Sequence, residues 1–348
     1  MIRLYTNTDL LTEKNRSYVF PLLFDLHYVK NDSLTSIYTL TSSPAEADVL
    51  VMALEFNFAQ RHFKKLYKEI KTTAKLLNKP LWVYTGGDFG YTIKEPLIFN
   101  FRLGGFKSTL NSRTFILPSF INDPYQLQLK NGFNPLSKQD IPSIGFVGHA
   151  NASLYKWLSE IKSYFSINLR RGLKQIYADY QPFFPSSIIR YKYLSKFIKS
   201  NVIHTDFILR ESYRAGANTE EYKRKSTKEF YTNIEQNSYT LCIRGAGNFS
   251  VRFYETLAVG RIPVLIDTDC PLPLNDSIDW NVHCLILKDS DIQSIEQKLL
   301  YFHNSFNHEE FDGLQKSNRL LWENKLTRHG YFKIVHDLFL NNILKQYV

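Results

Sequence analysis

The richest concentration of chemistry-bearing residues is the run Cys242-Ile243-Arg244-Gly245-Ala246-Gly247-Asn248-Phe249-Ser250-Val251-Arg252-Phe253-Tyr254-Glu255. Two arginines flank a Gly-x-Gly turn, and a carboxylate follows the second arginine by three residues. The glycines let the backbone turn tightly and approach a ligand closely. Ser250 is a favoured helix N-cap. The run therefore predicts a strand, a turn and a helix whose first amides point outward, which is a ready anion site. Arg252 in the first turn opposes the helix dipole unless an anion lies between them, and a diphosphate is such an anion. Arg252 and Glu255 share one helix face, where the carboxylate can accept hydrogen bonds from ribose hydroxyls. Arg244, Gly245, Gly247, Asn248, Ser250, Arg252 and Glu255 are thus candidates for holding a nucleotide. The plainer alternative is an ordinary turn followed by a surface Arg–Glu pair.

The elements around this run are those of an α/β protein. Short apolar runs at Ile2–Thr6, 47–52, 80–84, Leu97–Phe101 and Thr114–Leu117 read as strands, and Phe58–Leu77 as a helix with a lysine-rich wet side. Apolar strands alternating with helices predict a parallel sheet covered on both faces. Residues 121–142 gather Asn-Asp-Pro, Asn-Gly, Asn-Pro and Ile-Pro, a cluster of turn signals that reads as a linker. A second α/β unit starts at Ser143–His149. It continues through a basic helical stretch at 153–200, a strand at Val202–Leu209 and a charged helix at Thr219–Gln236. Strands at Tyr239–Ile243, Ile262–Ile266 and His283–Leu287 follow, and Glu309–Tyr347 is mostly helical. The expected domains are residues 1–140, 141–330 and a C-terminal helix, 331–348, packing back on the first. Two Rossmann-like domains would face each other across a cleft, with ligands at the carboxyl ends of the strands.

Composition narrows the function. Of 348 residues, 44% are apolar and 22% charged, as in an ordinary globular chain. No apolar run reaches the roughly 18 residues that span a bilayer, and the first residues lack a signal-peptide core, so a cytoplasmic location is expected. Cys242, Cys270 and Cys284 are odd in number and lack CxxC spacing, which argues against a disulfide framework or a zinc knuckle. The net charge of +10 is uneven. Residues 162–200 hold eight Lys and Arg against one acid, Asp179. Such a field favours an anionic partner: a phosphorylated substrate, anionic lipid or nucleic acid. The aromatics of that stretch form no recognisable RNA-binding module, so nucleic acid is not expected as a partner, and the absence of a Gly-x-x-x-x-Gly-Lys-Ser/Thr motif weakens a phosphotransferase reading.

The segment from Arg244 to Glu255, then Gly260-Arg-Ile-Pro263-Val, Leu272-Pro273 and Ile278-Asp279-Trp280, resembles the exostosin family of glycosyltransferases in order and spacing. The likeness covers about residues 200–282. Residues 1–140 match only in layout, with Thr85-Gly86-Gly87-Asp88 and Leu117-Pro118-Ser119-Phe120 in comparable places. The resemblance implies a GT-B fold and inverting transfer of a sugar from a nucleotide sugar, a UDP-sugar first, to a growing glycan. The acceptor would be a surface polysaccharide, capsule or lipopolysaccharide-type chain, free or lipid-linked. Arg244 and Arg252 would meet the diphosphate and Glu255 the ribose. Arg210 stands where the family has an arginine. The nucleotide sugar is a co-substrate, and no cofactor or metal is expected.

An inverting transfer needs a base for the acceptor hydroxyl. Asp88, after a first-domain strand, and His149, opening the second domain, are the candidates. Tyr213 and Arg214 follow Arg210 and could also reach the cleft. Asp267-Thr268-Asp269 follows a buried strand, as the metal-holding Asp-x-Asp of GT-A enzymes does, and is the rival metal-dependent reading. The rival from another class is a basic nucleic-acid-binding protein. The stretch 162–200 could lie against an anionic membrane.

Overall fold

The computed structural model describes residues 1–210 and 219–347. Eleven strands are seen among them. The first six are β1 (Ile2–Tyr5), β2 (Tyr38–Thr41), β3 (Val49–Val51), β4 (Leu81–Tyr84), β5 (Ile98–Arg102) and β6 (Thr114–Ile116). They form one sheet in the order β2-β1-β3-β4-β5-β6. The remaining five are β7 (Ser143–His149), β8 (His204–Arg210), β9 (Tyr239–Cys242), β10 (Ile262–Asp267) and β11 (Leu285–Lys288), in the order β11-β10-β9-β7-β8. Every pairing within both sheets is parallel. The protein is thus two parallel-sheet α/β domains, as the alternation of apolar strands and helices predicts. In each sheet the order reverses beside the first strand, β1 or β7, the place where this architecture opens a crevice.

The strands are apolar because helices cover both faces. Val49, Leu50, Val51, Leu81, Trp82 and Val83 are all buried. One local expectation is corrected. The helix foreseen over Phe58–Leu77 is two helices, Phe56–His62 and Lys64–Leu76, broken at Phe63, whose φ and ψ of −137° and 34° are not helical. Strand β2, Tyr-Thr-Leu-Thr, is an edge strand with little apolar content and leaves no clear trace in the sequence.

The turn-rich segment at 121–142 is stitched to the second domain. Asp123 pairs with Arg319 at 2.6 Å, and Gln315 brackets Leu136 through both its N–H and its carbonyl. Near the C-terminus, Tyr331, Phe332, Val335 and Phe339 lie in the core of the first domain with Phe20, Trp82 and Phe101, and Tyr38 donates its hydroxyl hydrogen to the Phe332 carbonyl at 2.8 Å.

Candidate functional site

The site forms where β7, β8 and β9 end. His149 and Arg210 are the last residues of neighbouring strands and stand in register. Arg244 follows β9 by two residues, and Arg252 lies in the helix Val251–Ala258. A fourth arginine, Arg190, reaches in from the helix Ser186–Ile198 and donates to the Arg244 carbonyl at 3.0 Å.

These four cations are short of counter-charge. Among the described residues, only Arg210 has an ion pair, to Glu229 at 2.6 Å, and it also donates to the Ser226 carbonyl. Arg244 is buried. It donates to Ala246 and is sandwiched between Phe184 and Phe106, with ring centroids 4.6 and 5.4 Å away. Phe106 belongs to the first domain, so the sandwich crosses the cleft. Arg252 donates to the Val147 carbonyl at 2.7 Å and lies over the Phe146 ring at 4.2 Å. The Nε atoms of all four are buried without a partner among the described residues. Burial pulls the Arg244 pKa down to about 10. Burial, then the charge of Arg252, does the same to Arg190. Arg252 is also lowered by burial, with Cys242 and Glu255 opposing the shift and Arg210 adding to it. A guanidinium keeps its proton at neutral pH as a rule. Buried like charges are costly, and a bound anion is the natural relief.

Glu255 is half-buried on the same helix as Arg252. It accepts from the Tyr231 hydroxyl at 3.3 Å. Burial raises its pKa to about 7, against the pull of Arg252 and the Tyr231 hydrogen bond.

The glycine turn is pressed against the first domain. A Cβ on Gly247 would collide with the Asp88 carbonyl oxygen and the Phe249 ring, whereas one on Gly245 would meet only Arg190 Nη2, at 3.5 Å. Ser250 occupies the N-cap with extended backbone, but its side chain makes no capping hydrogen bond. Asn248 is buried and its amide group is committed. It donates to the carbonyls of Gly105, Thr268 and Asp269 and accepts from Thr268 at 2.6 Å. It ties the turn to both domains rather than offering an amide to a ligand.

Asp88 carries an exposed side chain at the cleft, and partial desolvation raises its pKa. His149 Nδ1 lies 3.0 Å from the Arg210 carbonyl. That partner can only accept, so Nδ1 is the donor and Nε2 is the ring nitrogen left free of this hydrogen bond. The Asp269 carboxylate is turned to the Ser108 amide and hydroxyl of the first domain, while Asp267 accepts from the Cys270 amide. No cluster of three metal-ligating side chains occurs among the described residues. A cavity of about 530 Å³ opens beside this loop, lined by Asp267, Asp276, Asp279, Asn281, Trp280 and Lys107 among others. Carboxylates and amides suit a hydroxyl-rich ligand better than a diphosphate. Tyr213 and Arg214 lie outside the described residues. Arg190 was hidden in the sequence among eight basic residues of its stretch, and only its position across the turn singles it out.

Among the described residues, no helix is long and apolar enough to cross a membrane. No protein-family model matches the chain. Over 97 residues, 28% of this chain and 25% of the relative, it is 31% identical to an exostosin-1 homolog of Caenorhabditis elegans. The chain therefore matches only about a quarter of that relative's length. Among solved structures it superposes on a glycosyltransferase from Rickettsia africae with a TM-score of 0.39 and 10% identity, covering 98% of each chain. An α-glucosyltransferase in complex with UDP and DNA gives the same score and identity over 98% of this chain and all of that one. At these scores the superpositions are loose.

Proposed function

We propose that the protein is a glycosyltransferase that moves a sugar from a nucleoside-diphosphate sugar, a UDP-sugar first, to a growing surface glycan. The observation that carries the reading is the arginine cluster: Arg190, Arg244 and Arg252 converge at the strand ends with no ion pair among the described residues. A diphosphate would supply the missing charge in bidentate form, and Glu255, one turn along the helix, would accept from the ribose hydroxyls.

The chemistry follows from that placement. The acceptor oxygen attacks the anomeric carbon, and the bond from that carbon to the phosphate oxygen breaks with inversion. The bonding electrons leave with the diphosphate, and the acceptor proton passes to a base. Positive charge builds on the sugar and negative charge on the leaving group. Arg190, Arg244 and Arg252 stabilise the latter as it develops, a role that a divalent cation fills in metal-dependent transferases. Asp88 and His149 Nε2 are the candidate bases. The polysaccharide acceptor, inversion and independence of metal are parts of this proposal, supported by the sequence resemblance and by the arginines.

A thermal-shift screen against UDP, GDP, CMP, ADP and their common sugars, with and without EDTA, tests it. A ligand in excess of its Kd raises Tm by mass action. A rise with one nucleotide class that survives EDTA supports the proposal. A rise abolished by EDTA returns weight to Asp267 and Asp269. No rise with any nucleotide overturns it.

A further inference from the structure

The helix Leu154–Gly172 buries none of its residues. Yet Leu154, Tyr155, Leu158, Phe165, Leu169 and the following Leu173 are each between 52% and 84% exposed. At 100° per residue, Leu154, Leu158, Phe165 and Leu169 fall within about 60° of one another. They form one straight apolar stripe about 22 Å long at 1.5 Å per residue. Soluble monomers rarely leave such a stripe to water.

The charges around the stripe identify what covers it. Lys162 sits beside it, and Arg170 and Lys174 lie at its C-terminal end, all exposed. The only acid of the helix, Glu160, faces inward, 3.9 Å from Lys156 and accepting from the Ser187 amide. A second copy of this face would bring like charges together. The other half of the basic stretch is different: the helix Ser186–Ile198 buries Tyr193, Leu194 and Phe197 in the second domain. Only the first helix is available for docking.

We infer that this helix lies in the plane of an anionic lipid surface, with its leucines and phenylalanine among the acyl chains and its lysines and arginines at the headgroups. The helix follows β7, whose end carries His149, so docking would hold the cleft close to the bilayer. The inference stands independently of glycosyl transfer, because vesicle binding is read without donor or acceptor.

The test is flotation of the full chain with phosphatidylcholine vesicles containing or lacking phosphatidylglycerol. The wild type is expected to float with the anionic vesicles. The triple variant Leu158→Ser/Phe165→Ser/Leu169→Ser and the triple variant Lys162→Gln/Arg170→Gln/Lys174→Gln are each expected to lose at least tenfold in binding, with Tm unchanged because all six side chains are exposed. Wild-type protein that stays in the aqueous phase overturns the inference. So does a leucine–phenylalanine variant that floats like the wild type, or a wild-type dimer in solution that this variant converts to monomer.

Discussion

Arg102 of β5, fully buried in the first domain, is ion-paired at 2.6 Å with Asp179 of the second. Asp179 also accepts from the Thr92 amide and hydroxyl, and its own amide donates to Gly90. The loop between the two basic helices is thereby clamped to the first domain. Asp179 is the single acid of the +7 stretch, and it is spent on holding the domains together. Replacing it with Ala leaves a buried guanidinium without its partner. The expected loss is about 3 kcal/mol, read as a fall in the urea midpoint. The double variant Arg102→Met/Asp179→Leu should recover part of it.

Arg244→Gln and Arg190→Gln should each weaken nucleoside-diphosphate binding by roughly 10- to 100-fold, the range of a lost charge-assisted hydrogen bond. Calorimetric titration reads the loss. Each variant also relieves like-charge crowding, so the unliganded Tm should hold or rise. A fall in unliganded Tm with unchanged affinity would make these arginines structural.

Glu255 sets a pH dependence of stability. Its folded pKa, about 7, lies above its ordinary 4.5. The native state then holds a proton that the unfolded state has lost, so stability declines as pH rises from 4.5 through 7. The span is about 3 kcal/mol at 1.36 kcal/mol per unit. Glu255→Gln should match the wild-type Tm at pH 5 and exceed it at pH 8, while binding the nucleotide less tightly at both.

The two glycines of the turn make a matched pair. Gly247→Ala forces the turn away from Asp88 and should cost about 1–3 kcal/mol, with a parallel loss of turnover. Gly245→Ala makes only an ordinary van der Waals contact with Arg190 and should leave Tm unchanged. Any loss of nucleotide affinity in Gly245→Ala then reports a ligand lying against the turn.

The identity of the base is separable by turnover and binding together. Replacing the true base, by Asp88→Asn or His149→Gln, should lower kcat by 10²-fold or more and leave the donor Kd unchanged. If Asp88 is the base, the acidic limb of the pH–rate profile should lie above the ordinary carboxylate range, since desolvation raises its pKa.

The two-sheet architecture was legible because parallel strands buried on both faces read as solid apolar runs, as Val49–Val51 and Ile262–Ile266 do. β2 was not, because Tyr38-Thr39-Leu40-Thr41 is an edge strand with one neighbour, and its fit depends on β1 rather than on its own composition. Of the site, Arg244, Arg252 and Glu255 were legible because turn chemistry and helix spacing act within a dozen residues. Asn248 looked like a ligand residue from its place in the turn, but three carbonyls from distant segments claim it. Arg190 lies 54 residues from its partner Arg244, and nothing local marks it. The apolar stripe was masked by the charge of its stretch: the sequence shows leucines among lysines, and only the packing shows which side of the helix stays bare.

Tyr331, Phe332, Val335 and Phe339 complete the core of the domain that begins at Ile2. On the ribosome the chain emerges N-terminus first, so of these two domains the one whose sheet is made earlier is completed after the other. Its sheet must wait, with Phe20, Trp82 and Phe101 incompletely covered, while the whole second domain is synthesised. During that interval the nascent first domain is the part of the chain that chaperones would find.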